Sequence, residues 1–225
     1  MALANPKNGA IDLRGQVISK ERVLRHGEVF TAEKEVRAML DLVKEESFRI
    51  EATFLEPSCG TGNFLVEILQ RKLQTAKKKR THRKEWEQTA LQSLSNIYGI
   101  ELMADTAKIS RKRLFEIFEK EYRELFADSF QEKILRAANF ILQKNIITGD
   151  TLKMKTIKGK PIVFTEWIFS EGKVTRKEFE MRAMVDFHNA KECSQGDLFS
   201  QELLPIKIHK PLPMENLGDA NGKNF

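Results

Sequence analysis

Two cysteines in 225 residues are too few for a cross-linked or metal-built framework. Cys59 and Cys193 stand far apart with no zinc-ligand spacing between them, so the shortage points to a reducing compartment. Also missing is any apolar run long enough to cross a bilayer, and the opening Met1-Ala2-Leu3-Ala4-Asn5-Pro6-Lys7 holds no apolar signal core. The expectation is a cytoplasmic protein with no membrane partner. Nothing in the pattern of histidine, cysteine and acid suggests a metal site, and His82 has no companion that would make it a base or a ligand. Charge is plentiful: 38 basic against 32 acidic residues give +6, which permits a nucleic-acid partner without identifying one. A hydrophobic content of 41% suffices for the core of one sizeable domain with additions.

What the chain does hold is one stretch of unusual order, Phe54-Leu55-Glu56-Pro57-Ser58-Cys59-Gly60-Thr61-Gly62-Asn63-Phe64-Leu65. An apolar lead-in ends in an acid, a loop with two glycines follows, and an amphipathic run from Phe64 to Leu73 begins at once: strand, tight turn, helix. Gly60 and Gly62 permit positive φ and close approach of a ligand to the backbone, while a helix starting near Asn63 aims free N–H groups at whatever lies above it. A dinucleotide turn carries three glycines at G-x-G-x-x-G spacing, and the third is absent here. Glu56-Pro57 precedes the glycines instead. A carboxylate just under the ligand repels phosphate and suits a cationic group.

Other segments fall at regular intervals around that turn. His26-Gly27-Glu28-Val29-Phe30-Thr31 leads into a helical pattern with Val36, Met39, Leu40 and Val43 on one face and Thr31 as its candidate N-cap. Ile97-Tyr98-Gly99-Ile100-Glu101-Leu102 reads as a buried strand closed by an acid, and the wide gap from Glu56 to Glu101 leaves room for an inserted helix over 85–95. At the carboxyl end of a second parallel strand, a carboxylate lies where it can accept from both hydroxyls of a ribose. Two helical patterns follow, from Ala104 to Phe118 and from Phe126 to Leu142, then a third strand and turn over Asn145 to Leu152 containing Gly149-Asp150.

These residues together resemble class I S-adenosylmethionine-dependent methyltransferases, and among them the N6-adenine DNA methyltransferases of restriction-modification systems. The family's first motif, Asp/Glu-Pro-x-x-Gly-x-Gly-x-Phe, is matched by Glu56, Pro57, Gly60, Gly62 and Phe64. Its upstream segment, similar to Gly-x-Val-Phe-Thr-Pro, is matched from Gly27 through Phe30 and Thr31, with Ala32 where proline is usual. The resemblance implies S-adenosylmethionine as cofactor. It assigns Phe30 and Thr31 to the methionine end, Glu56 to the amino acid moiety, and the glycine turn to the ribose and methionine part. Glu101 would take the ribose, Leu102 or Met103 the adenine face, and Asp150 the adenine amine. The implied fold is α/β, a doubly wound Rossmann-like sheet with helices on both faces over residues 26–188, with DNA as partner.

The chain departs from the family at its catalytic motif. DNA amino-methylases use Asn/Asp/Ser-Pro-Pro-aromatic to localise the amine's lone pair and to stack the flipped base. No such tetrapeptide occurs; Asn5-Pro6 is followed by Lys7. In its place, alternation over about 160–180 around Ser170-Glu171-Gly172 predicts a β-hairpin. Glu166 and Trp167 within it are the candidates for an acceptor and a stacking face, set against a purely structural hairpin. A partner subunit would supply the missing motif. Residues 1–25 read as a basic arm, and Lys77 to Lys84 as either an exposed connector or a phosphate-contacting loop. From 189 to 225 periodicity is lost and a flexible tail is expected. It contains Gln195-Gly196-Asp197-Leu198-Phe199, which resembles the peptide by which bacterial replication and repair proteins dock on the sliding clamp. Three functions compete: a DNA adenine methyltransferase, a non-catalytic DNA-associated protein retaining the cofactor fold, and a methyltransferase for RNA or a small molecule.

Overall fold

The structure, a computed structural model, describes residues 31–79, 82–193 and 203–221. It opens with helix α1 (Glu33–Asp41) and the short α2 (Lys44–Phe48). Thr31 is not the cap of α1. Ala32 takes that place, and Glu35 Oε2 accepts its N–H at 3.3 Å, so Glu35 supplies the reach-back half of a capping box. Val36 and Leu40 are buried while Met39 and Val43 stay exposed, because α1 meets the body along a narrow i, i+4 stripe.

Three short strands form the centre. β1 (Phe54–Glu56), β2 (Ile97–Glu101) and β3 (Ile146–Asp150) lie side by side and parallel, and β4 (Lys155–Thr156) pairs antiparallel beyond β3. Each parallel crossover is made by two helices. α3 (Asn63–Lys79) and α4 (Arg83–Ser95) join β1 to β2, and α5 (Ala104–Phe126) and α6 (Glu132–Asn145) join β2 to β3. α4 fills the wide gap between Glu56 and Glu101.

The helices pack through stripes at helical spacing. In α5 the buried positions are Thr106, Ala107, Ser110, Leu114, Phe118 and Tyr122, while Arg123–Glu119 and Lys112–Glu116 pair along the exposed side. Trp86 of α4 stacks on Tyr122 with ring centroids 5.3 Å apart. Each fully buried leucine of this layer, such as Leu69 or Leu91, contributes about 1.5–3 kcal/mol. The run Lys77 to Lys79 ends α3, where cations meet the negative end of the helix dipole. Lys77 pairs with Glu121 at 2.9 Å and Arg83 with Glu87 at 3.1 Å, so part of the basic block is spent within the fold.

Behind the sheet lies the hairpin of β5 (Val163–Ser170) and β6 (Lys173–Glu180), turned by Glu171 and Gly172 at φ 50° and 73°. Two consecutive positive φ angles are the signature of the tight turn that suits strand twist. α7 (Met181–Cys193) follows. Phe164 meets Tyr98 edge-on at 5.6 Å, and the Tyr98 hydroxyl donates to the Thr165 carbonyl at 2.7 Å. Asn145 ties the layers together: its amide donates to the Ser95 and Ile97 carbonyls and accepts from Trp167 Nε1 at 2.9 Å.

Residues 203–221 are part of this body and not a loose tail. β7 (Lys207–Ile208) and β8 (Leu212–Pro213) add to β6, and a final 3-10 helix (Met214–Asn221) lies on α6 with Leu217 wholly buried. Gly218 makes this possible, since a Cβ there would stand 2.8 Å from the Arg136 carbonyl carbon. The arm at 1–25 and the peptide Gln195–Phe199 lie outside the described residues.

Candidate functional site

Register decides what the strand ends present. Glu56 is level with Gly99, Gly99 with Ile146, and Glu101 with Thr148. Residues in register on parallel strands point to the same face, and so do residues two apart, so Glu56, Glu101 and Asp150 share one face. They form a diagonal across three carboxyl ends. Each step advances two residues and one strand, roughly 8 Å between successive Cα atoms. Such a spread across three strand ends suits an extended ligand. Among the described residues no group of three His, Cys, Asp or Glu is arranged to hold a metal ion.

The glycine turn covers this diagonal from the β1 side. Gly60 and Gly62 take φ of 52° and 85°, which a side chain would strain. The turn folds over the end of β2, where Cys59 N–H donates to the Ile100 carbonyl at 2.9 Å. From β3, the Thr151 hydroxyl reaches the Pro57 carbonyl. Phe64 is partly buried against the main core. Gly99 is small for a separate reason: a Cβ there would lie 2.9 Å from both Cys59 Sγ and Leu65 Cδ1.

The three carboxylates have different surroundings. Glu101 is buried and divides its oxygens, Oε2 accepting from Gly60 N–H at 2.9 Å and Oε1 from Met103 N–H at 2.8 Å. It thus joins the turn to the start of α5. Each oxygen keeps a lone pair for another donor. Burial pushes the Glu56 carboxyl above its ordinary range, opposed by the Ser58 N–H. Asp150 goes the other way: Lys153 donates through its backbone N–H at 3.1 Å and its ammonium at 3.0 Å, holding the carboxyl low. Leu102, next to Glu101, is 49% exposed, an apolar surface beside the carboxylates. The thiol of Cys59 is pushed up to about 12 by burial and the nearby Glu101, so it stays protonated.

The turn is backed by residues that motif reading passes over. Arg113 of α5 places Nη1 2.7 Å from the Thr61 carbonyl and 2.7 Å from Asn63 Oδ1. Asn63 Nδ2 in turn donates to the Thr31 carbonyl at 2.8 Å. Asn63 was visible as the residue opening a helix after Gly-x-Gly, whereas Arg113 reads locally as part of a solvated basic face. Phe30 lies outside the described residues.

Glu166 and Trp167 do not reach this site. Trp167 is a core residue, bonded to Asn145 and packed edge-on against Phe140 at 5.9 Å, with no ring face free for a base. Glu166 is exposed on the hairpin opposite Lys177. Their strand packs behind the sheet, on the face of Tyr98 and Ile100. On that face too is an apolar hollow of about 400 Å³ lined by Leu55, Tyr98, Phe164, Phe179 and Met184 among others.

Parallel strands joined by helices, a glycine turn after the first, and acids closing all three make the Rossmann-like frame of a class I S-adenosylmethionine-dependent methyltransferase domain. The family model described as MmeI, DNA-methyltransferase domain, matches residues 31–162, more than half of the chain, and the protein belongs to that family. It is accordingly an S-adenosylmethionine-dependent methyltransferase domain that resembles the DNA adenine-N6 methyltransferases. No curated protein and no solved structure matches the chain. The match runs from Thr31 to Ile162 and stops where the hairpin begins. No helix among the described residues is long and apolar enough to cross a membrane.

Proposed function

We propose that this chain holds S-adenosylmethionine across the tips of β1, β2 and β3 and serves as the cofactor-binding part of a DNA adenine-N6 methyltransferase. The observation that carries the reading is the common face of Glu56, Glu101 and Asp150 beside a turn whose glycines have positive φ. Glu56 and the turn at Pro57, Gly60 and Gly62 face the methionine part together with Thr31, the family resemblance assigns Phe30 to the same part, and Phe64 anchors the turn to the core. The free lone pairs of Glu101 accept from the ribose hydroxyls, Leu102 covers the adenine, and Asp150 accepts from its amine. The cofactor brings an electrophilic methyl group on a sulfonium. A cationic ligand also fits the raised Glu56 carboxyl, since a nearby positive charge restores its ionised form.

Activation of a target amine needs an acceptor and a stacking ring, and the Asn/Asp/Ser-Pro-Pro-aromatic tetrapeptide that carries them in the DNA amino-methylases does not occur in this chain. In this reading they come from a partner subunit carrying Asn/Asp/Ser-Pro-Pro-aromatic, and DNA is the substrate. The absence of that tetrapeptide favours a second reading, a non-catalytic DNA-associated protein that keeps the cofactor site. Docking of Gln195–Phe199 on a sliding clamp and a cytoplasmic location belong to the same proposal. Titration calorimetry tests the cofactor step. The chain binds S-adenosylmethionine, and Glu101→Ala or Gly60→Trp weakens binding by about tenfold or more, the loss expected for a charge-assisted hydrogen bond or a filled turn. Absence of binding by the unaltered chain refutes the reading.

A further inference from the structure

We infer that Arg113 is a positioning residue which, through Asn63, locks the Thr31 segment to the glycine turn and thereby sets the shape of the S-adenosylmethionine site. The inference rests on the cofactor reading and names residues beyond it. Ser110 and Arg113 lie three apart on α5 and so face the same way. Ser110 presses on Gly62, where a Cβ would fall 2.5 Å from its Oγ, and Arg113 holds the two residues on either side, Thr61 and Asn63. The turn therefore has a rigid back wall contributed by a helix fifty residues away in sequence.

Hydrogen-bond polarity gives this contact a direction. A guanidinium only donates, so the Asn63 side chain must offer Arg113 its oxygen. Its NH2 group is then turned toward the Thr31 carbonyl, which only accepts. Donation runs from Arg113 to Asn63 to Thr31, and a flipped amide would face donor to donor and acceptor to acceptor. Burial makes Arg113's charge costly, pulling its pKa down, yet a guanidinium remains charged throughout the neutral range. Thr31 lies 32 residues before Asn63, ahead of α1 and outside the sheet, so no strand ladder fixes its distance from the turn. The relay fixes it.

Asn63→Asp separates positioning from stability. The carboxylate still accepts from Arg113, and a negative charge at the first residue of α3 suits the helix dipole, so the melting temperature holds or rises. It cannot donate to Thr31. S-adenosylmethionine affinity, measured by calorimetry on the full chain, falls about tenfold in Asn63→Asp and in Arg113→Met, and Arg113→Lys recovers most of the loss. Combining Asn63→Asp with Arg113→Met adds less than about threefold, because both cut one relay. The inference is overturned if Asn63→Asp binds within about twofold of the unaltered chain, or if the two losses multiply in full. An unaltered chain that fails to bind refutes the cofactor reading itself and the inference with it; normal binding with indifferent variants refutes the inference alone.

Discussion

Lys72 is the most confined charge in the molecule's described part: it has no exposed surface, and its ammonium donates to the carbonyls of Arg49, Ile50 and Ala52. Those three protons gather the chain between α2 and β1, just before the strand that ends in Glu56. Burial lowers its pKa from 10.5 to about 8. In the window between these values the unfolded chain binds more protons than the folded one, so stability rises as pH increases through it. The gain is up to about 3 kcal/mol. Urea unfolding at pH 7.5 and pH 10.5 should therefore show the unaltered protein gaining on Lys72→Met; an unchanged difference between the two proteins would mean that Lys72 is not a desolvated cation. No sequence signal marks this residue, because its neighbours Gln70, Arg71 and Gln74 give the same polar reading as a solvated face. The places of Glu56, Glu101 and Asp150 at strand ends and of Gly60 and Gly62 in the turn were legible for the opposite reason. Each is set by local backbone demands at a strand end or a turn, and such demands leave a mark within a few residues.

Elements built from alternation or from a long apolar stripe could be read directly, and the hairpin at β5 and β6 lies within the stretch that its alternation and Glu171-Gly172 turn indicate. The 3-10 helix at Met214–Asn221 could not. It has too few residues for periodicity, and its burial depends on α6, some eighty positions earlier, offering the surface beside Arg136 that Gly218 fits. A loose tail and this docked segment look alike until the tertiary partner is present. Leu217 distinguishes them. It is fully buried in the main cluster, so Leu217→Ala should cost about 2–5 kcal/mol in chemical denaturation, the usual loss for a buried leucine with its cavity. A change below about 0.5 kcal/mol is what an exposed tail residue would give.

At the scale of the whole molecule, the parallel sheet as formed by the described residues has an open edge at β1. β1 carries Glu56 and the glycine turn, and among the described residues its ladder partner is β2 alone. Phe54 N–H is directed to β2, where it meets the Asn96 carbonyl, so by alternation the Leu55 N–H and carbonyl are directed to the open edge. Leu55 is 47% exposed there, above the apolar hollow it shares with Tyr98 and Phe164. Parallel strands are normally covered on both faces, and an open edge accepts an extended chain readily. A strand added to β1 would end beside Glu56, and a tetrapeptide carried at its end would meet the proposed sulfonium. Transfer of labelled methyl from S-adenosylmethionine to adenine-containing DNA should then be absent with this chain alone and appear when a polypeptide bearing Asn/Asp/Ser-Pro-Pro-aromatic after an apolar strand is added. Leu55→Pro removes the outward N–H without touching the bonds to β2, so it should abolish the complemented transfer while leaving cofactor affinity within about twofold. Transfer by the chain alone would show that the amine is activated by residues already present, and complementation undiminished by Leu55→Pro would move the docking site away from β1.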